Sequence, residues 1–185
     1  MRTTYTHCRF GRVAFALALA CPFALATTGS ARADNGGSTG ATISIQGGAL
    51  GITVPSGSVS LGTLVNTVEG GTVAGSLGVV TVRDARSAAA GSGWVASVIS
   101  TAFTPPAGPA LAASAVKYSA GPIAKVGTAT YTANDPTNLT GVSAAVTATG
   151  ITGDNSATWN PTITVAVPGG TAAGVYVATI THSVL

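Results

Sequence analysis

The stretch that decides the fold class is residues 157–185, ATWNPTITVAVPGGTAAGVYVATITHSVL. In both of its halves apolar side chains alternate with Thr and Ser at a period of two, which is typical of antiparallel strands with one buried face. Residues 168–170, Pro-Gly-Gly, end the first strand because proline lacks an N–H for the ladder and glycine accepts a positive φ. The stretch therefore predicts a hairpin or a corner between packed sheets, with Trp159 and Tyr176 on core faces.

The first 33 residues have the features of a secretory signal peptide. Three arginines precede an apolar run at 13–26, and the triplet Ala-Arg-Ala at 31–33 is a small-residue cleavage pattern. The run is shorter than the roughly 20 residues that a membrane-spanning helix needs, and Pro22 interrupts it. We expect export after cleavage and no membrane span in the mature chain. Lipidation at Cys21 is an alternative, since the preceding residues resemble a lipoprotein cleavage box.

Removal of the signal changes the charge of the chain. Four of the eight basic residues lie in it, whereas all five acids lie beyond it, so the mature chain has a formal net charge of −1 rather than +3. Without a basic patch, neither nucleic acid nor anionic lipid is an expected partner. Cys8 and Cys21 also leave, which removes any disulfide, thiolate nucleophile or Cys metal site. Stability must then come from a hydrophobic core.

One all-β domain is predicted over residues 41–185, after a flexible leader at 34–40. About 150 residues suit a single domain, and short β-branched runs separated by Gly, Pro and Asn turns indicate about nine to eleven strands. We predict a single antiparallel β-sandwich of immunoglobulin-like or jelly-roll-like type, with loops at 86–93 and 150–156. Before the closing pair, the predicted strands are 41–46, 50–54, 59–68 (a weak pair), 75–84, 94–103, 116–119, 128–132 and 142–149.

Three sequence blocks carry a family resemblance. They are VVTVRDAR at 79–86, GWVA at 93–96, and Trp159 far downstream. Together they resemble the WxL domain of Gram-positive bacterial cell-surface proteins. Each tryptophan departs from the family pattern, because Ala96 and Pro161 stand two positions after them where the family has leucine.

The resemblance covers residues 75–185, about two-thirds of the mature chain, and is that of a divergent, actinobacterial-looking relative. It implies a secreted β-sandwich that attaches non-covalently to the cell wall through peptidoglycan. It also implies an extracellular location, at the cell surface, for a protein that has no covalent sorting signal.

Five residues are the candidate binding site. An indole offers a flat apolar face and one N–H donor, which suits stacking on a sugar ring or on a protein. Both tryptophans can be core residues of a sandwich. Trp159 favours this interpretation because it shares the parity of core residues, whereas Trp94 follows a glycine-rich loop and is the better candidate for a surface contact. At the strand end, Asp84 and Arg86 form either a local ion pair, worth about 0–1 kcal/mol, or turn-fixing hydrogen bonds. The functional alternative is that they contact a polar wall component together with Arg83.

We expect no catalytic residue, metal or cofactor. His182 is the only histidine of the mature chain, and no G-x-S-x-G elbow supplies a nucleophile. Asn134-Asp135 and Asp154-Asn155 could hold calcium only if their loops met, and their spacing is not that of a calcium loop.

Three functions stay open from the sequence. The leading one is a non-enzymatic surface protein that binds cell-wall polymer or another surface protein. The alternative is a self-assembling structural or surface-layer subunit, because charge-poor Thr/Val strands can pair edge to edge. The third is a small secreted hydrolase that uses His182.

Overall fold

The computed structural model describes residues 40–185, so the predicted signal peptide and the leader up to residue 39 lie outside the described residues. The residues from Ile43 to Leu185 form one compact unit. This part of the chain is nearly all β and its strands pair antiparallel, which confirms the all-β prediction. It contains no α-helix, and one 3-10 turn lies at Ala113–Ala115.

The described residues contain no helix that could cross a membrane.

Eight strands are present between residues 40 and 185, fewer than the nine to eleven predicted. They are β1 (Leu50–Thr53), β2 (Gly70–Ser76), β3 (Val80–Ser100), β4 (Val116–Ser119), β5 (Ala124–Ala133), β6 (Ser143–Trp159), β7 (Thr162–Pro168) and β8 (Ile180–Val184).

The strands form two sheets. The larger has the order β1-β3-β6-β5, and β8 also pairs with β3. β1 lies along the start of β3, with Leu50 opposite Asp84, while β8 lies along its end, with Val184 opposite Ala96. The smaller sheet has the order β2-β7-β4. β7 and β8 therefore belong to different sheets, and the turn at 168–170 leads from one sheet to the other instead of closing a hairpin.

The loop predicted at 86–93 is part of β3. Register shifts against β6 fall between Asp84 and Trp94, because β3 has more residues than β6 over this interval. Ser87 and Gly91 adopt positive φ angles of 53° and 87° within it. Such bulges absorb extra residues and re-aim the side chains that follow. The predicted loop at 150–156 likewise continues in β6.

Three predicted strands are absent, the one at 41–46 and the weak pair at 59–68. Residues 41–46 and 59–68 have no strand partner, and residues 54–66 make no backbone–backbone hydrogen bond with any described residue. Their alternating side chains are those of a strand, but a strand requires a neighbour to pair with.

The core lies where the alternating faces of β3, β6, β4 and β7 meet the chain around Phe103 and Leu139. No cysteine occurs in the described part, so its packing is the main source of stability. The largest fully buried hydrophobic side chains are Trp94, Trp159, Tyr118, Leu139, Ile151, Ile163, Val80, Val82, Val98, Val116 and Val146.

Candidate functional site

Trp94 is buried, with 2% of its surface exposed, so it is a core residue and the surface contact considered for it is not present. Its side chain lies on the same buried face of β3 as Asp84, because the two residues share parity and β3 continues through the predicted loop. Its indole N–H donates to Oδ1 of Asn155 at 3.0 Å. The hydroxyl of Tyr131 donates to the same oxygen at 3.2 Å, and the two rings lie 5.7 Å apart. Trp94 therefore has no face free for a ligand.

Asn155 connects this tryptophan to an ion pair. Its Nδ2 donates to Oδ2 of Asp84 at 3.3 Å, and Asp84 has no exposed side-chain surface. Arg86 donates to both carboxylate oxygens of Asp84, from Nε and from a terminal nitrogen, each at 2.8 Å. The hydrogen bond from Arg86 lowers the pKa of Asp84 against the opposing effect of burial. These residues, Trp94, Tyr131, Asn155, Asp84 and Arg86, are called the Trp94 cluster below.

Arg86 is the member of the Trp94 cluster that reaches the surface. Its side chain is 39% exposed, and it also donates to the carbonyl oxygen of Gly93 at 3.3 Å. The guanidinium thus ties both ends of the bulged interval together. Arg83 is exposed, on the side of β3 opposite to the buried Asp84. The local ion pair that the sequence offered as one alternative for Asp84 and Arg86 is present.

Trp159 is buried at 1% exposure, as its parity predicted. Its indole N–H donates to the hydroxyl of Tyr118 at 2.7 Å, and Nε2 of His182 lies 3.2 Å from that hydroxyl. Because the tyrosine oxygen already accepts from Trp159, its proton is free for His182. Burial raises the pKa of Tyr118 to about 12 and lowers the pKa of His182 to about 4, so both are neutral at pH 7. These three residues are called the Trp159 cluster.

The acidic residues considered for calcium serve the backbone. Oδ1 of Asp154 accepts from the N–H of Ser87 at 2.9 Å, and Oδ1 of Asp135 accepts from the N–H of Ala120 at 2.7 Å. Between residues 40 and 185, no group of three or more His, Cys, Asp or Glu side chains could hold a metal ion.

A cleft of about 1200 Å³ is the feature that sequence reasoning missed. Its walls come from residues 54–66, residues 171–180, and β2 and β7, and Phe103, Leu111 and His182 also line it. No Asp, Glu, Lys or Arg lines it. Valines at its rim are exposed, among them Val175 at 73% and Val177 at 65%. The sequence feature that could have indicated the cleft is the segment 54–68, which has no charged residue and is rich in Val, Leu, Gly and Ser.

One wall of the cleft is held mainly by packing. Leu61 and Leu64 lie against Gly75 and Gly71 of β2, and a Cβ on Gly75 would come within 2.5 Å of the Leu61 backbone. Glycine at this position therefore permits the close approach of the two chains. The side chain of Asn66 donates to the carbonyl oxygen of Thr171, which joins the two walls.

No family model, curated protein or solved structure matches this chain. The resemblance to the WxL domain therefore stays a prediction.

Proposed function

We propose that the chain is a non-enzymatic, exported β-sandwich protein that binds non-covalently at the cell surface, and that its cleft receives part of another surface protein. The cleft carries this proposal because it is uncharged and open, and because exposed valines are among its lining residues. Soluble monomers rarely leave a large contiguous apolar patch uncovered. Burial of such surface contributes roughly 25 cal/mol per Å², and it requires no charge on either partner.

The lining of the cleft favours a protein segment over a polysaccharide. Sugar recognition uses exposed aromatic faces together with polar donors and acceptors. Of the aromatic residues that line the cleft, Phe103 is 9% exposed and Tyr176 donates its hydroxyl hydrogen to the carbonyl of Ala172 at 2.9 Å. His182 is neutral and faces Tyr118. The aliphatic remainder suits the side chains of an extended peptide.

Binding to wall polymer is the second candidate, and the exposed arginines favour it. Asp84 fixes the orientation of the Arg86 guanidinium, and the Arg86 side chain is partly exposed to solvent. Arg83 lies three residues before Arg86. An ordered guanidinium is well suited to carboxylates and phosphates. Trp94 would act as a positioning residue in this role, since it is buried and Asn155 links it to Asp84, whereas Trp159 belongs to the separate Trp159 cluster.

The surroundings of His182 support a non-enzymatic role. Its partner is a tyrosine hydroxyl rather than a serine or a carboxylate. A general base needs a pKa near the working pH, and burial lowers that of His182 to about 4. The histidine is therefore placed as a neutral member of a structural cluster.

The test uses the exported protein and isolated cell walls in two forms, one washed and still bearing surface proteins, the other stripped of protein with hot detergent. We expect wild type to pellet with the protein-bearing walls and Val175→Asp to stay in solution, because a charge in the cleft cannot be buried cheaply. Val142→Asp is the matched control, since Val142 is 70% exposed and lies outside the cleft. Near-ultraviolet circular dichroism checks that each variant is folded.

The stripped walls test the second candidate. Pelleting with stripped walls that is lost on joint substitution of Arg83→Ala and Arg86→Ala, and kept by Val175→Asp, would favour wall polymer as the ligand. Failure of wild type to pellet with either preparation would overturn both candidates.

A further inference from the structure

Residues 43–46, ISIQ, have the pattern of a strand without a strand to pair with. Ile43 is 84% exposed and Ile45 is 83% exposed, so both isoleucine side chains lie largely in solvent. The segment makes no hydrogen bond with any described residue. In an extended chain both isoleucines lie on one face, with Ser44 and Gln46 on the other. This segment is called the free segment below.

The free edge of β2 is a place where such a segment could pair. β2 (Gly70–Ser76) is the outer strand of its sheet, so one side of it has no strand neighbour among the described residues. An edge strand presents N–H and C=O groups that another extended chain can pair with. Val73 of β2 lines the cleft, so a strand added beside β2 would direct alternate side chains into it.

The two surfaces match in charge and in length. Neither the free segment nor the lining of the cleft contains Asp, Glu, Lys or Arg. β2 has seven residues, which is long enough for the free segment to pair along its whole length. Contact between two uncharged surfaces removes their apolar side chains from water, which is favourable.

The geometry of β1 favours a second copy over the same molecule. The N–H of Gly48 donates to the carbonyl of Ala85, which holds the chain beside β3 just before β1 begins. The chain then runs along β1 to Thr53 and reaches the cleft at Val54. The free segment thus leaves from the end of β1 that is farther from the cleft. It would have to turn back on itself to enter the cleft of its own molecule.

We propose that the free segment of one copy adds as a strand to the edge of β2 in a second copy and places Ile43 and Ile45 in that copy's cleft. Strand addition of this kind uses backbone hydrogen bonds for affinity and alternate side chains for specificity. The two surfaces differ, so the contact is heterologous and successive copies can continue in a chain. The inference rests on the proposed binding role of the cleft and names its occupant.

The experiment measures the mass of the exported protein by light scattering as its concentration rises. We expect wild type to form assemblies, and the double variant Ile43→Asp, Ile45→Asp to stay monomeric. The matched control, Ser44→Asp with Gln46→Asp, adds the same charges to the opposite face of the free segment and should still assemble. Val175→Asp should be monomeric through loss of the cleft, while Val142→Asp should assemble.

Mixing gives the sharper result. The double variant retains an intact cleft and Val175→Asp retains an intact free segment, so an equimolar mixture should form one-to-one dimers that cannot extend. A mixture that stays monomeric, wild type that is monomeric at every concentration, or equal loss of assembly in the Ser44→Asp, Gln46→Asp control would each overturn the proposal. Unfolding of the double variant would overturn it too, because the free segment would then be part of its own domain.

The wall experiment separates this inference from the proposed function. If wild type is monomeric while Val175→Asp still loses its binding to protein-bearing walls, the cleft has a different occupant and only the inference fails. If wild type assembles as expected but pellets with neither wall preparation, the proposed surface role fails and self-assembly through the cleft stands.

Discussion

The two tryptophans occupy the same kind of environment but belong to different parts of the structure. Each is buried, and each donates its indole N–H to a buried polar group, Asn155 for Trp94 and Tyr118 for Trp159. The Trp94 cluster lies within one sheet, on β3, β5 and β6, and ends at a charged, partly exposed arginine. The Trp159 cluster connects β6 and β8 of one sheet with β4 of the other, and it ends at a neutral histidine that lines the cleft.

This difference shows that similar local chemistry serves two purposes. In the Trp94 cluster, hydrogen bonds hold β3 across its bulges, where the ladder to β6 is interrupted. In the Trp159 cluster, they join two sheets at the edge of the cleft. An ion pair is tolerated in the first because Arg86 reaches solvent, whereas the second has no charged member at neutral pH.

The largest effects should come from removal of either indole. We expect Trp94→Ala and Trp159→Ala each to lower the free energy of unfolding by about 3–5 kcal/mol, because each leaves a large cavity and an unpaired polar neighbour. Denaturant unfolding followed by circular dichroism measures this. A loss below about 1 kcal/mol for one of them would show that its cluster is not part of the cooperative core.

Next in size are substitutions of the polar hubs. Tyr118→Phe leaves the N–H of Trp159 buried without an acceptor, which costs about 1–3 kcal/mol. Asn155→Leu leaves the N–H of Trp94 unpaired and also removes a donor from the buried carboxylate of Asp84. We expect the loss in unfolding free energy to be greater for Asn155→Leu, since an ionised group is the more costly to leave short of partners. The opposite order would contradict the charged character assigned to the Trp94 cluster.

The clusters should differ in the pH range over which acid weakens them. Burial lowers the pKa of His182 from 6.5 to about 4. Between these pH values the histidine is protonated in the unfolded chain and neutral in the folded one, so stability falls as pH drops from about 6.5 to about 4. The pKa of Asp84 is lowered from 3.8, so its stabilising contribution is lost only below that value.

Urea unfolding at a series of pH values tests this pair of windows. We expect His182→Gln to flatten the pH dependence between about 4 and 6.5, and Asp84→Asn to flatten it only at lower pH. A pH dependence between 4 and 6.5 that is unchanged in His182→Gln would assign that window to another group.

The last contrast concerns Arg86, whose replacement by Gln should also lower stability because it removes two donors from the buried carboxylate of Asp84. Its clearer result is a rise in the pKa of Asp84, since the hydrogen bond from Arg86 is the main cause of the lowered value. Carbon-detected NMR titration of the Asp84 carboxyl measures it. Arg83→Gln is the matched control and should leave that pKa unchanged, because Arg83 points away from the carboxylate.

Part of the site follows from local pattern. The parity of β7 and of the end of β6 places Trp159 in the core. Asp84 and Arg86 are two residues apart, so their ion pair is an interaction between near neighbours in the sequence. The burial of Trp94 follows from the same rule only once β3 is known to be continuous. Trp94 shares its parity with Val82 and Asp84, and all buried residues of β3 have that parity, but a loop predicted at 86–93 ends the alternation before it reaches Trp94.

The cleft is harder to predict from the sequence than the burial of either tryptophan. Its walls come from segments more than 100 residues apart. The run at 59–66 has the composition of a strand, although it packs against β2 without a backbone hydrogen bond to any described residue. The free segment is similar, since the pattern at 41–46 predicts a strand and the fold leaves it unpaired.

The sequence by itself determines the all-β character of residues 40–185 and the buried parity of Trp159, because side-chain alternation is a property of the local backbone. Tertiary structure decides which strands pair, that residues 86–93 continue β3 with Trp94 on its buried face, and that the cleft is open. The physical reason is that pairing and register depend on contacts between distant segments, and no local spacing records them.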